Sequence, residues 1–306
     1  PQIHQAFVEG AALNDWTSAT VEWFRAKSPM LYVNGATLPG GDELPGVGTP
    51  TFVIQGTIDN LFPLNEGIRN FAQVRANGVE TKMMFFCGGH VINAAGSSCT
   101  PAADDPETEE NESQDGVIER RILAWFDRHV RGDDSADTGA TIEYWLQDGT
   151  LAAVEELPSE TVSAAAEGLA LVNQVAPTSG TVTAPGPSPD GARVPFPVAA
   201  GATLLGVPRA TVSVTGAGAE IYLFLKLLDV ASDGAVTVVD DQVMAQKVTW
   251  LSDVPRVVDV ELGGVAWRIE EGHSLFLEIA TTSSDHASPR IPAVATVDVV
   301  VDVPVL

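Results

Sequence analysis

Two short stretches carry the residue types of proton-transfer chemistry. Gly56-Thr-Ile-Asp59 follows the apolar run Thr51-Phe-Val-Ile-Gln55, and Gly88-Gly-His90 follows a second run from Thr81 to Phe86. Runs this short and this apolar are what strands buried on both faces look like. Between them, Asn65 to Asn77 puts Ile68, Phe71 and Ala72 on one helical face and Arg69 and Arg75 elsewhere, with Gly78 where a left-handed C-cap belongs. Strand, helix, strand predicts a right-handed parallel crossover. Asp59 and His90 then both stand at the carboxyl edge of the sheet, where ligands of open α/β sheets bind.

A carboxylate followed about thirty residues later by an imidazole at that edge is the acid and base half of a triad in the order Ser, Asp, His. The carboxylate must hold the imidazole in one tautomer and stabilise the imidazolium, so each group needs a strand end that fixes it. Two plainer roles stand beside this one: Asp59 capping the turn and helix that follow it, and His90 held in a Gly-rich loop. Trp16, Trp23 and Phe62, with Pro63, are candidates to line a substrate pocket, core packing being the equal alternative. His4, His129, His273 and His286 have no comparable context. His129, near a helix end, favours the helix dipole, and His273 reads as a turn residue before a strand.

The elements that must position these groups fall into three segments. Residues 1–30 hold two short helices broken at Asn14-Asp15, the remnant of a cap, and Ser28-Pro29 ends the second. Residues 31–138 are the C-terminal part of an α/β domain, closing with an amphipathic helix from Val117 to Val130 on which Ile118, Ile122, Trp125, Phe126 and Val130 share a side. From 139 to 306 helical periodicity gives way to Val/Thr/Leu-rich runs separated by Gly, Pro and Asp-Gly turns, the pattern of an antiparallel β-sandwich. The fold class is thus α/β plus all-β.

The chain has 306 residues, 45% of them hydrophobic, enough for a sizeable core and about two domains. No apolar run approaches the roughly 20 residues that cross a bilayer. Forty-one acids against 16 bases leave a net charge of −25, which repels nucleic-acid phosphates and anionic lipid and leaves neutral or cationic partners. Seven acids crowd positions 104 to 115, a solvated insertion without the regular ligand spacing of a calcium loop. No cofactor and no metal site is expected. Cys87 and Cys99, the two cysteines, lie 12 apart around small residues, a loop-closing position. Their even count points to a disulfide, two unpaired thiols being the alternative, and a disulfide places the chain in a secreted or cell-envelope location.

The sequence resembles the cocaine-esterase and X-Pro dipeptidyl-peptidase group of α/β-hydrolases. The resemblance rests on Arg25-Ala-Lys-Ser-Pro29, on Thr49 to Pro63, on Phe86-Cys-Gly-Gly-His90 and on Ile122-Leu-Ala-Trp-Phe-Asp-Arg-His129. It continues through Leu223 to Gly234 and Glu271-Gly-His273. It implies that Asp59 is the triad acid, His90 the triad base, and 139–306 a jelly-roll-like β-domain. It further implies a serine hydrolase that cleaves small acyl esters or X-Pro peptides.

The chain departs from that pattern in one respect. No Gly-X-Ser-X-Gly elbow occurs in the 306 residues, and Ser97 and Ser98 follow the His in a loop rather than on an elbow. An N-terminal hydrolase segment, as a separate chain or as preceding sequence, is expected to complete the sheet and supply the nucleophile. The rival expectation is a catalytically inactive binding or structural module of the cell envelope that uses its β-sandwich.

Overall fold

A computed structural model of the chain describes residues 2–13, 16–28, 32–37, 41–90, 97–101, 113–173, 185–284, 286 and 291–306. Two compact units form, one from residues 1–51 with 69–81, the other from 52–68 with 82–306. In the smaller unit α1 (Gln2–Leu13) is followed by α2 (Ser18–Arg25), which starts where the Thr17 hydroxyl accepts the Thr20 amide. The Trp16 indole N–H donates to the Ala6 carbonyl of α1. β1 (Ala36–Thr37) and β2 (Glu43–Leu44) pair as a short antiparallel ribbon.

The sheet that matters for chemistry has the order β3 (Thr51–Gly56), β4 (Thr81–Phe86), β5 (Ile142–Trp145), β6 (Leu151–Val154). The Thr51 amide bonds to Glu80 and the Thr57 amide to Phe86, the same offset at both ends, so β3 and β4 run parallel. The helix between them, α3 (Leu64–Ala76), gives the strand, helix, strand order read from the sequence. β5 is parallel to β4, and β6 returns antiparallel. α4 (Gln114–Phe126) starts at Ser113, whose hydroxyl accepts the Gly116 amide.

The change of composition at 139 therefore precedes the change of sheet. β5 and β6 extend the α/β sheet, and the first strand of the large antiparallel sheet is β7 (Thr161–Asn173). Charge explains the placement of β5. Its Glu143 is buried and takes a bidentate contact from Arg121 of α4 and an ion pair from the buried Lys82 of β4. A strand carrying that carboxylate has its cationic partners only beside β4.

The rest of the chain is β8 (Ala192–Pro195), β9 (Thr203–Gly206), β10 (Arg209–Val230), β11 (Val236–Val238), β12 (Met244–Leu251), β13 (Arg256–Glu261), β14 (Val265–Arg268), β15 (Ser274–Ala280) and β16 (Ala293–Pro304). The chain is mostly β, with few helices. Strand β10 is the spine of an eight-stranded sheet: its first half lies between β13 and β16, its second meets β12 and β15, and β11 pairs with its end. Along β16 burial alternates strictly, with Val297, Val299, Val301 and Val303 inside and Val294 and Val300 exposed, as a sheet with one face on a core requires.

One charged pair lies inside that core. Lys226 of β10 and Glu278 of β15 are fully buried cross-strand partners, with Nζ 3.1 Å from Oε1. The ammonium also donates to Gly186 O and Ser188 Oγ, while the carboxylate accepts from the Ser188 amide and Arg193 Nε. The polar groups at this point are satisfied by one another. Among the described residues no helix is long and apolar enough to cross a membrane.

Lys226→Met takes from the buried Glu278 its fully buried ammonium partner and leaves it only the half-exposed Arg193 and the Ser188 amide, and denaturant unfolding is expected to register a loss of up to about 3–5 kcal/mol. Pairing it with Glu278→Leu restores most of that loss.

Candidate active site

Asp59 and His90 stand on the ends of β3 and β4, brought together by glycines. A Cβ on Gly56 would lie 2.0 Å from the Gly88 carbonyl oxygen, and one on Gly89, at φ +152°, would lie 2.5 Å from the Asp59 Cα. Any side chain at either position would push the two loops apart. With glycine there, His90 Nδ1 comes within 2.7 Å of Asp59 Oδ2.

The carboxylate is locked on its other oxygen as well. Asp59 Oδ1 accepts the amides of Leu61 at 3.0 Å and Phe62 at 2.9 Å. The residue is buried, which by itself raises its pKa. The bond from the Phe62 amide, then His90 and the Leu61 amide, outweigh that and hold the carboxyl below its ordinary value. An ionised Asp59 only accepts, so the proton between the groups belongs to His90 Nδ1, and in the neutral imidazole the lone pair is then on Nε2. The His90 side chain is 60% exposed and the Asp59 side chain 4%. A buried orienting acid with an accessible base is the arrangement general base catalysis needs. The alternative roles also hold in part, since Asp59 does cap the turn that follows it.

Phe62 completes the cluster. Its ring is half exposed and meets His90 edge-on with centroids 5.2 Å apart. Trp16 and Trp23 belong to the smaller unit, where Trp16 stacks on Phe24 at 4.9 Å and Trp23 meets the same ring edge-on at 5.0 Å. Of the five candidates, Asp59, His90 and Phe62 are thus found together. Cys87 and Cys99 form a disulfide that packs on Ile58, next to the acid. Ser98 donates its amide to Asp241, and Ser97 Oγ lies 4.0 Å from Cys99 Sγ. Of the acidic run 104–115, residues 104–112 lie outside the described residues. Among the described residues no cluster of His, Cys, Asp and Glu could hold a metal ion.

Two features have no counterpart in the sequence reading. The first is a turn following β11, where Asp240 and Asp241 take left-handed backbone angles, φ 48° and 53°. Asp240 Oδ2 accepts the Ala266 amide, and the Gln242 side chain donates to the carbonyls of Thr57 and Asp59. Burial, joined by the charge of Asp241, pushes Asp240 up to about 7. The second is another imidazole–carboxylate pair, His273 Nδ1 at 2.8 Å from Asp229 Oδ1, with the Trp267 indole N–H donating to Oδ2. Its trace in the sequence is Asp229 near the end of the apolar run of β10, and among the described residues no nucleophile is bonded to it.

Residues 94–296 match the family model described as the X-Pro dipeptidyl-peptidase C-terminal non-catalytic domain. Asp59 and His90 lie just before the matched span. No curated protein matches the chain. Among solved structures, a CocE/NonD family hydrolase from Staphylococcus aureus superposes with a TM-score of 0.58 at 11% identity, over 94% of this chain and 59% of that one. An α-amino acid ester hydrolase gives 0.61 at 12% identity over 84% and 55%. An aminopeptidase from the marine sediment archaeon Thaumarchaeota archaeon gives 0.61 at 10% identity over 84% and 55%. These likenesses establish a shared fold, and the chain spans little more than half the length of each of the three.

The two perturbed carboxyls set opposite pH dependences. Asp59, depressed in the fold, contributes stability above its unfolded value of about 4 that is lost as pH falls through the folded value. Asp240, raised to about 7, contributes stability below about 4 that is lost as pH rises to its folded value. Urea unfolding at several pH values is therefore expected to show the Asp240→Asn midpoint gaining on wild type between about pH 4 and 8. The deficit of Asp59→Asn shrinks toward about pH 2.

Proposed function

Because the chain belongs to the family defined by the X-Pro dipeptidyl-peptidase C-terminal non-catalytic domain, we propose that it is the C-terminal portion of a serine hydrolase whose nucleophile lies in an N-terminal segment. In this reading residues 1–30 are the cap remnant, 31–138 with β5 and β6 the end of the α/β-hydrolase domain, and the chain from β7 onward a jelly-roll-like β-sandwich domain. The observation that carries the proposal is the hydrogen bond between Asp59 and His90 Nδ1 at adjacent ends of parallel strands.

In the proposed mechanism a serine from that segment attacks the acyl carbon of a small ester or an X-Pro peptide. His90 Nε2 takes the hydroxyl proton and returns it to the leaving group, and the acyl-enzyme is then hydrolysed. Asp59 fixes the tautomer and stabilises the imidazolium. Phe62, against the imidazole, offers an apolar wall beside the attack site. No cofactor enters the scheme.

Surface chemistry supports a covering segment. β3 ends its sheet with Phe52, Val53 and Ile54 only half buried, and α4 and the π-helical turn that continues it (Asp127–Arg131) present Leu123, Phe126 and Val130 to solvent at 57%, 56% and 74% exposure. Apolar surface of this extent on one helix marks a contact face. The disulfide Cys87–Cys99 supports a secreted or cell-envelope location. The printed names of the similar structures include both an ester hydrolase and an aminopeptidase, which keeps both substrate classes in the proposal.

The test is turnover of p-nitrophenyl acetate and of an X-Pro p-nitroanilide by the longer protein that contains this chain. Wild type is expected to hydrolyse one of them, and Asp59→Asn to lower kcat by about 10⁴-fold with little change in KM. Turnover undiminished by both Asp59→Asn and His90→Ala overturns the roles given to the pair, and a wild type that hydrolyses neither substrate favours the inactive module that binds through its β-sandwich.

A further inference from the structure

The acid loop is held from two sides. Its Thr57 amide donates to Phe86 O of β4 at 2.9 Å, while its Thr57 carbonyl accepts the Gln242 side-chain amide at 2.8 Å. The same Gln242 nitrogen lies 3.3 Å from the Asp59 carbonyl. Gln242 comes from the β-rich part of the chain, 183 residues from Asp59, and is buried. We propose that Gln242 is a positioning residue for the Asp59–His90 pair, gripping the backbone of the acid loop so that the carboxylate stays aimed at the imidazole. This rests on the reading of that pair as the acid and base of the reaction.

The grip is built rather than incidental. Two consecutive non-glycine residues in left-handed conformation are costly and persist only where their surroundings over-determine them. Here Asp240 is fastened by the Ala266 amide and Asp241 by the Ser98 amide, so the turn is anchored to β14 on one side and to the disulfide loop on the other. The disulfide packs on Ile58, the residue between the two carbonyls that Gln242 holds. Thr57, Ile58 and Asp59 thus have their backbone or side chains engaged by groups outside β3. A displacement of even about 1 Å at a reacting group can cost on the order of a hundredfold in rate.

Two other side-chain amides make comparable grips without touching the acid loop. Asn65 donates to Leu262 O and accepts the Gly264 amide, and Gln147 donates to Arg268 O and accepts the Arg268 amide. Gln147 is the natural control, because it joins the α/β sheet to β14 as Gln242 joins it to the turn. Loss of either removes buried hydrogen bonds. Only loss of Gln242 is expected to disturb His90.

The experiment is proton NMR of the longer protein that contains this chain, reading the downfield Nδ1–H resonance of His90 bonded to a carboxylate. In wild type the resonance is present, and Asp59→Asn abolishes it. Gln242→Met is expected to broaden it away through exchange with water, while Gln147→Met leaves it unchanged at a similar loss of unfolding midpoint. If Gln242→Met fails to fold, Gln242→Asn, which keeps the amide on a shorter arm, is read in the same way. A wild-type resonance in the Gln242 variant, lost in Asp59→Asn, overturns the positioning role and leaves the pair standing. A resonance that survives Asp59→Asn overturns the reading of the pair and this proposal with it. In the longer protein, Gln242→Met is expected to lower kcat by about tenfold to a hundredfold with KM within about twofold.

Discussion

The crowding of two strand ends governs this molecule. Gly56 and Gly89 let the loops after β3 and β4 approach so closely that no side chain fits between them. In that space a carboxylate and an imidazole meet at 2.7 Å. Ladder hydrogen bonds alone would hold the strands side by side without fixing where the loops point. The contact between the two functional groups is a consequence of backbone packing, and the amides of Leu61 and Phe62 then fix the carboxylate that the packing has placed.

The β-rich part of the chain belongs to the same compact unit as that pair. Side-chain amides of Asn65, Gln147 and Gln242 satisfy backbone groups across the junction with the α/β sheet. Such bonds are individually modest but costly to leave unmade when buried. They give a domain described as non-catalytic a physical connection to the Asp59–His90 pair next to it. The Asp240–Asp241 turn adds a titrating element to the same junction, since one of two adjacent buried carboxyls is driven toward neutrality by burial and by the charge of the other.

What could be read from the sequence follows from the range of the interactions. The β3–α3–β4 crossover, the glycines around Asp59 and His90, the cysteine pair and the Val/Thr/Leu-rich strands in the later part of the chain are local patterns with local causes, and they were legible as such. The sheet joined by β5 was not, because Ile142-Glu-Tyr-Trp145 looks the same in either sheet. Its partners, Lys82 and Arg121, come from distant stretches of the chain. Gln242 carried no signal at all, being one polar residue among turn residues until the chain folds it against Thr57. His273 read as a turn residue, and its backbone amide does close a turn on Glu270, but its ring finds Asp229 across 44 residues. The positions of the apolar candidates Trp16 and Phe62 likewise depend on which unit each joins, and their ring types do not decide that.

The most direct test of the account is intact-mass spectrometry of the longer protein after treatment with a fluorophosphonate probe, followed by peptide mapping of the adduct. The account predicts one adduct per chain, on a serine outside these 306 residues, and no adduct in His90→Ala. An adduct on a serine within the 306 residues, or labelling that persists without His90, would contradict it.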